Sequence, residues 1–242
     1  MSEHHKENFI TKYVFTMDHK MIAKQFLLTG MFMAVVGMLM SAIFRVQLAN
    51  PGETSILYNL LPSAWLNDAG GLNPDKYLAL VTMHGTILVF WVLTAGLSGT
   101  FANFLIPLQI GARDMASGFL NMLSYWFFFI ATVVLLSSLF VESGPASGGW
   151  TIYPPLSALP QAIPGSGTGM TLWLISITLF VVGSLLGGLN YIVTILNLRT
   201  IGMTMTRLPL TVWALLITAI LGVLSFPVLL SCGLLLIFDR SF

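Results

Sequence analysis

Charged residues are scarce in this sequence. Aspartate, glutamate, lysine and arginine together make up only 8% of its 242 residues, about a third of their share in ordinary soluble domains. Hydrophobic residues make up 56%. So few charges cannot cover a water-facing surface, and so much apolar content does not stay unfolded in water. The composition therefore excludes both a soluble globular protein and a disordered one.

Cysteine and basic runs are also almost absent. The single cysteine, Cys232, excludes an internal disulfide framework and a metal cluster built from cysteines. The net charge is +1 and no basic run occurs, so no nucleic-acid partner is expected.

Long apolar runs are what the sequence has instead. A helix that crosses the hydrocarbon core of a bilayer needs about 20 predominantly apolar residues, and five stretches meet this length. They are uniformly apolar, which indicates helices and not the alternating strands of a barrel. The sequence thus predicts an all-α polytopic membrane protein. Its transmembrane helices are expected at about 22–48, 77–106, 120–141, 170–196 and 209–238.

Lysines and arginines are distributed unevenly between the two sides of these spans. Seven lie before or at the start of the first span or in the loops that would share that side, two lie on the other side, and Arg45 falls within the first span. The positive-inside rule therefore predicts a cytoplasmic N-terminus. The seven are Lys6, Lys12, Lys20, Lys24, Arg113, Arg199 and Arg207, against Lys76 and Arg240.

His84 is the only histidine inside a predicted span. Ionisable groups in the membrane are costly and are therefore functional candidates. A neutral imidazole can ligate iron, copper or zinc, and Gly85 beside it would let a flat cofactor approach the backbone. The alternative is a histidine that is hydrogen-bonded to a neighbouring helix. A single histidine cannot complete a metal site, so a second ligand would have to come from elsewhere.

Two further charged residues have alternative interpretations. Arg45, near the end of the first span, either extends to the membrane interface or donates to a polar cofactor group. Asp114, in a short loop, is either a surface carboxylate paired with Arg113 or the start of a proton pathway. The polar residues that could line such a pathway are Asn103, Asn121, Ser124, Ser176, Ser184 and Asn190. The last three do not share one helical stripe.

Several specific motifs occur in order along the chain. Thr-Met-His-Gly surrounds His84, and Asn-Phe-Leu-Ile-Pro begins at Asn103 and leads into Ile-Gly-Ala-Arg-Asp-Met, which contains Asp114. The run Trp-Thr-Ile-Tyr-Pro-Pro-Leu-Ser begins at Trp150. In these motifs the chain resembles subunit I of the haem–copper terminal oxidases of the cytochrome c oxidase type. The family has about twelve spans, so the five here resemble its N-terminal part, residues 1–242 as one unit.

The resemblance implies roles for individual residues. It implies that His84 is an axial ligand of the low-spin haem and that Arg45 donates a hydrogen bond to that haem. Trp150 and Tyr153 would pack near its propionates. Asp114 would form the mouth of a proton channel that Asn103, Asn121, Ser124, Ser184 and Asn190 line. Phe26 stands where the family commonly has a channel tyrosine, which concerns the details of proton uptake and not haem ligation.

The resemblance also implies a reaction and partners. Electrons from cytochrome c would pass through the low-spin haem, expected to be haem A, to a haem–copper centre that reduces oxygen to water and drives proton pumping. The high-spin haem, the copper and the second low-spin haem ligand are implied for later helices, so no catalytic residue is expected in this segment. Expected partners are a copper-bearing subunit II, other oxidase subunits, membrane lipid and, as a further alternative, another respiratory complex. The bacterial cytoplasmic membrane is the expected location, with the mitochondrial inner membrane as the alternative.

Two other functions stay open from the sequence. A quinol oxidase or a nitric oxide reductase would share the haem ligand, although Asp114, Asn103 and Asn121 favour a pumping oxidase. A non-catalytic, proton-coupled transporter would use His84 and Asp114 differently. The sequence has no repeat of broken helices, which such a transporter would favour.

Overall fold

The computed structural model describes residues 9–51, 55–159, 161–162 and 167–241. Within these ranges the chain forms five long helices and no strand, which confirms the predicted all-α polytopic fold. Each helix is long and apolar enough to cross a membrane. The helices are α1 (His19–Ala49), α2 (Pro74–Ile110), α3 (Gly118–Phe140), α4 (Thr168–Asn197) and α5 (Leu210–Ser241).

Local capping residues set the ends of these helices. The Asp18 carboxylate accepts a hydrogen bond from the Met21 backbone nitrogen and starts α1, and Pro74 occupies the first turn of α2. Gly111, at φ 73°, ends α2 in the left-handed conformation. The Ser117 hydroxyl accepts from the Leu120 nitrogen and starts α3. Helices α1 to α4 begin two to three residues before the predicted spans. For α1 and α3 the reason is that hydropathy does not register their polar caps.

The earlier start of α1 changes one expectation. His19 is the first residue of α1, so His84 is not the only helical histidine. His19 is buried, and its Nδ1 lies 3.0 Å from the backbone oxygen of Asn103 on α2.

Helix α4 lies at the centre of the bundle. In its most apolar window 56% of the residues are buried, compared with 6% in α5. It packs against α3 on one side and α5 on the other, while α1 packs along α2. We name the two ends of the bundle by their loops. The Asp114 end is where the α2–α3 loop lies, and the Trp150 end is where the α3–α4 loop lies.

Helix α2 widens into a π-helix between its two α-helical parts. The π segment spans Ile87–Leu97, and the buried Trp91 within it donates from Nε1 to the Thr132 hydroxyl of α3 at 2.8 Å. Gly96 lies against α1, where a Cβ built on Gly30 would be 2.8 Å from the Gly96 Cα. Segments of this kind occur frequently at functional sites. This one separates His84 from Asn103.

Candidate functional site

His84 is held by a backbone carbonyl of α1. Its Nδ1 lies 2.8 Å from the Gly37 oxygen, and its ring meets the edge of Phe44 with centroids 5.4 Å apart. Because a carbonyl only accepts hydrogen bonds, this contact assigns the ring proton to Nδ1 and leaves a lone pair on Nε2. Among the described residues Nε2 has no hydrogen-bond partner. Metal-ligating histidines typically show this arrangement, so the site fits axial ligation of an iron.

Arg45 follows Phe44 directly on α1. It is exposed and makes no hydrogen bond or ion pair with the described residues. Phe44 contacts the His84 ring, so Arg45 follows a neighbour of His84 directly in the chain. Its guanidinium is free of partners among the described residues.

Trp150 packs against Gly85, the residue that follows His84 on α2. A Cβ built on Gly85 would lie 3.2 Å from the Trp150 Cβ, and Gly149 donates from its nitrogen to the Thr82 hydroxyl at 2.8 Å. Tyr153 is 72% exposed. Trp150 and Tyr153 line a cavity of about 320 Å³ that His84 does not line. The structure thus brings Trp150 to Gly85, the residue next to His84, and places Tyr153 at the cavity that Trp150 also lines.

Asp114 lies partly buried in the α2–α3 loop. Its Oδ1 accepts a hydrogen bond from the Met115 backbone nitrogen at 2.6 Å. No ion pair with Arg113 occurs in the described part of the chain, so the paired surface carboxylate is not what the structure shows. The second carboxylate oxygen is free to interact with solvent.

Two buried asparagines lie just inside the Asp114 end. Asn103 donates from Nδ2 to the Gly99 oxygen at 2.8 Å and to the Tyr191 hydroxyl at 3.1 Å. Its Oδ1, and both amide atoms of Asn121, have no partner among the described residues. Buried polar groups are rarely left unpaired, so these three atoms are available to bind water.

A cavity of about 110 Å³ lies beyond these asparagines, lined by residues of α2, α3, α4 and α5 and by Phe26 of α1. Its size accommodates several water molecules, since each takes roughly 30 Å³ in the liquid. The residues that contribute hydroxyl groups to its lining are Thr94, Ser98, Ser124, Ser184, Tyr191 and Thr218.

Asn190 and Ser176 do not line this cavity. The Asn190 amide accepts from the Ser117 nitrogen at 2.9 Å and donates to the Ser117 oxygen at 3.0 Å. Thr194, one turn further along α4, accepts from the Ala116 nitrogen at 2.9 Å. Ser176 bonds within its own helix, to the Trp173 oxygen at 2.7 Å. Asn190 and Thr194 therefore fix the loop that carries Asp114; we call this pair the loop clasp.

The family is decided by comparison with known sequences. The model of the family described as cytochrome c and quinol oxidase polypeptide I matches residues 21–242. The chain belongs to this family. The resemblance seen in the motifs around His84, Asp114 and Trp150 is thus confirmed.

Curated relatives of this oxidase polypeptide match nearly the whole chain. The alternative cytochrome c oxidase subunit 1 of Bradyrhizobium diazoefficiens is 42% identical over 237 residues, which are 98% of this chain and 37% of the relative. Cytochrome c oxidase subunit 1 of Candida albicans is 39% identical over 97% of this chain and 41% of the relative. The protein of the same name from Thermostichus vulcanus is 38% identical over 95% of this chain and 38% of its own. The chain spans about two fifths of the length of these relatives.

One polar residue of this oxidase segment, Tyr191, was not predicted from the sequence. Tyr191 places its hydroxyl at the cavity and bonds Asn103. It lies seven residues after Ser184, two helical turns along the same face, so the spacing could have indicated it. The fixation of Ser117 by Asn190 had no comparable signal, because it joins a loop to a helix 73 residues away.

Proposed function

We propose that this chain forms the N-terminal five-helix part of the catalytic subunit of a respiratory terminal oxidase. Electrons from cytochrome c would pass through a low-spin haem A to a haem–copper centre that reduces oxygen to water, with proton pumping. The observation that carries the proposal is the His84 ring, whose Nδ1 is fixed by the Gly37 carbonyl so that Nε2 is free to ligate. Membership of the oxidase family supports it.

The residues around His84 would hold and tune this haem. When bound, the haem supplies an iron that exchanges one electron at a time. The Gly37 carbonyl keeps the His84 proton on Nδ1, so Nε2 is available as the ligating atom. The Arg45 guanidinium would donate a charge-assisted hydrogen bond to a polar haem substituent and withdraw electron density from the ring. Trp150 and Tyr153 would contact the propionates.

The Asp114 end would take up protons. The partly buried Asp114 carboxylate, held by Met115, would collect protons from the cytoplasm. The unpaired amide atoms of Asn103 and Asn121 would bind the first waters, and Ser124 and Ser184 would continue the polar lining. The excess of lysine and arginine supports a cytoplasmic location for this end, in a bacterial cytoplasmic membrane.

The oxidase complex would supply what these five helices do not contain. A copper-bearing subunit II would deliver electrons, and later helices would supply the second haem ligand and the haem–copper centre. The family also includes quinol oxidases. A quinol oxidase is therefore the second candidate function, and it differs from the first in its electron donor.

The test uses the assembled oxidase in proteoliposomes. Oxygen consumption is measured with reduced cytochrome c or with a quinol as donor, while proton release is recorded outside the vesicles. We expect oxygen consumption with cytochrome c and coupled proton release, and we expect Asp114→Asn to slow proton uptake while haem reduction survives. Consumption with quinol alone would assign the second candidate, and no oxygen consumption with either donor would refute both.

A further inference from the structure

The hydroxyl groups of the 110 Å³ cavity differ in whether their protons already form hydrogen bonds to backbone carbonyls. Thr94 donates to the Val89 oxygen, Ser98 to the Leu93 oxygen and Ser124 to the Asn121 oxygen. These three hydroxyls can only accept hydrogen bonds from water in the cavity. They therefore cannot orient a water molecule by donating to it.

Tyr191 differs from these three. Its oxygen accepts a hydrogen bond from Asn103 Nδ2 at 3.1 Å, so its own proton is free to point into the cavity. Ser184 makes no hydrogen bond with the described residues and Thr218 is exposed. Among the cavity hydroxyls of the described residues, Tyr191 alone is both fixed by a partner and able to donate.

Gly187 keeps the space in front of this hydroxyl open. A Cβ built on Gly187 would lie 3.5 Å from the Tyr191 oxygen and 3.7 Å from the Ser124 Oγ. Both oxygens therefore lie on the side of Gly187 to which a Cβ would project, the Tyr191 oxygen with a proton to donate and the Ser124 oxygen as an acceptor. A water in the adjoining cavity that receives a hydrogen bond from Tyr191 and donates one to Ser124 would have a defined orientation.

We propose that Tyr191 is a positioning residue that anchors the water file through which protons cross this cavity. Asn103 holds the phenol oxygen, and the phenol proton orients the first cavity water toward Ser124. The tyrosine stays neutral, and the transferred protons move along the waters. The inference rests on the proposed proton uptake at the Asp114 end and adds the residue that connects the asparagines to the cavity.

The test compares Tyr191→Phe with Tyr125→Phe in the assembled oxidase. Both variants lose only a phenol oxygen, but the Tyr125 hydroxyl bonds Thr29 at 3.1 Å and does not line the cavity. We expect Tyr191→Phe to slow proton uptake about fivefold to tenfold, the rate change that the loss of one hydrogen bond produces. The low-spin haem spectrum and potential should stay unchanged, and Tyr125→Phe should behave as wild type. Wild-type uptake in Tyr191→Phe, or equal slowing in both variants, would overturn the proposal.

A second variant keeps every hydroxyl and narrows the cavity beside them. Gly187→Ala adds a methyl group 3.5 Å from the Tyr191 oxygen and 3.7 Å from the Ser124 Oγ, which are ordinary contact distances, so the helix tolerates it. We expect it to slow uptake as Tyr191→Phe does, and unchanged uptake would contradict an anchored water.

Asp114→Asn, measured alongside, separates this inference from the proposed function. If Asp114→Asn slows uptake and Tyr191→Phe does not, only the role of Tyr191 is wrong. If Asp114→Asn leaves uptake unchanged, the proposed proton route fails and the role of Tyr191 fails with it.

Discussion

The Asn190 amide binds both backbone groups of Ser117, accepting from its nitrogen at 2.9 Å and donating to its oxygen at 3.0 Å. These two hydrogen bonds join α4, the central helix, to the loop that carries Asp114. Both amide atoms are thereby occupied. Asn190 thus acts on Asp114 through the loop backbone, whereas Asn121 has a free amide for water.

We expect Asn190→Ala to loosen this loop. The change removes two hydrogen bonds and leaves the Ser117 groups unpaired, which costs about 1–3 kcal/mol in local stability. Hydrogen exchange at the Ser117 amide, measured by mass spectrometry, should become faster by roughly tenfold or more. Thr194→Ser keeps the hydroxyl that accepts from Ala116 and serves as the control. Unaltered exchange in Asn190→Ala would show that the clasp does not fix the loop.

We expect Gly96→Ala to destabilise the crossing of α1 and α2. A Cβ on Gly96 would lie 3.0 Å from the Gly30 Cα and 2.8 Å from the Trp91 backbone oxygen, so the helices would have to separate. Such overpacking costs about 1–3 kcal/mol. Thermal denaturation of the purified complex should show a lower midpoint.

Gly222→Ala is the matched control for this prediction. A Cβ on Gly222 would meet only the Phe226 ring, at 3.6 Å, and alanine favours a helix over glycine by about 1 kcal/mol. Its midpoint should equal or exceed that of the wild type. Equal midpoints for Gly96→Ala and Gly222→Ala would contradict the close approach of α1 and α2.

We expect Arg45→Met to lower the potential of the low-spin haem. Losing a cationic donor stabilises the oxidised, more positive form of the haem. A tenfold change in its one-electron redox equilibrium corresponds to a shift of about 60 mV in potential. The absorption band of that haem should move as well. Arg207→Met, which removes an exposed arginine at the Asp114 end, should change neither property. An unshifted potential in Arg45→Met would favour the interpretation that Arg45 only extends to the membrane interface.

The helices were predictable because bilayer thickness constrains length and composition strongly. Their ends were not, since Asp18, Pro74 and Ser117 act through single capping groups that hydropathy ignores. The motifs indicated His84 and Asp114, but the Gly37 carbonyl that fixes His84 lies 47 residues away. Contacts of that separation depend on helix packing. The same reason explains why the contact of Asn190 with Ser117 was not anticipated, whereas the seven-residue spacing from Ser184 could have indicated Tyr191.

The central claim is that His84 ligates an iron porphyrin, and the visible spectrum of His84→Ala in the assembled oxidase tests it most directly. His19→Ala is the control, because His19 is a second helical histidine whose Nδ1 contacts a backbone oxygen, at 3.0 Å. We predict that His84→Ala abolishes the low-spin haem absorbance and that His19→Ala retains it. A full low-spin haem spectrum in His84→Ala would contradict the account.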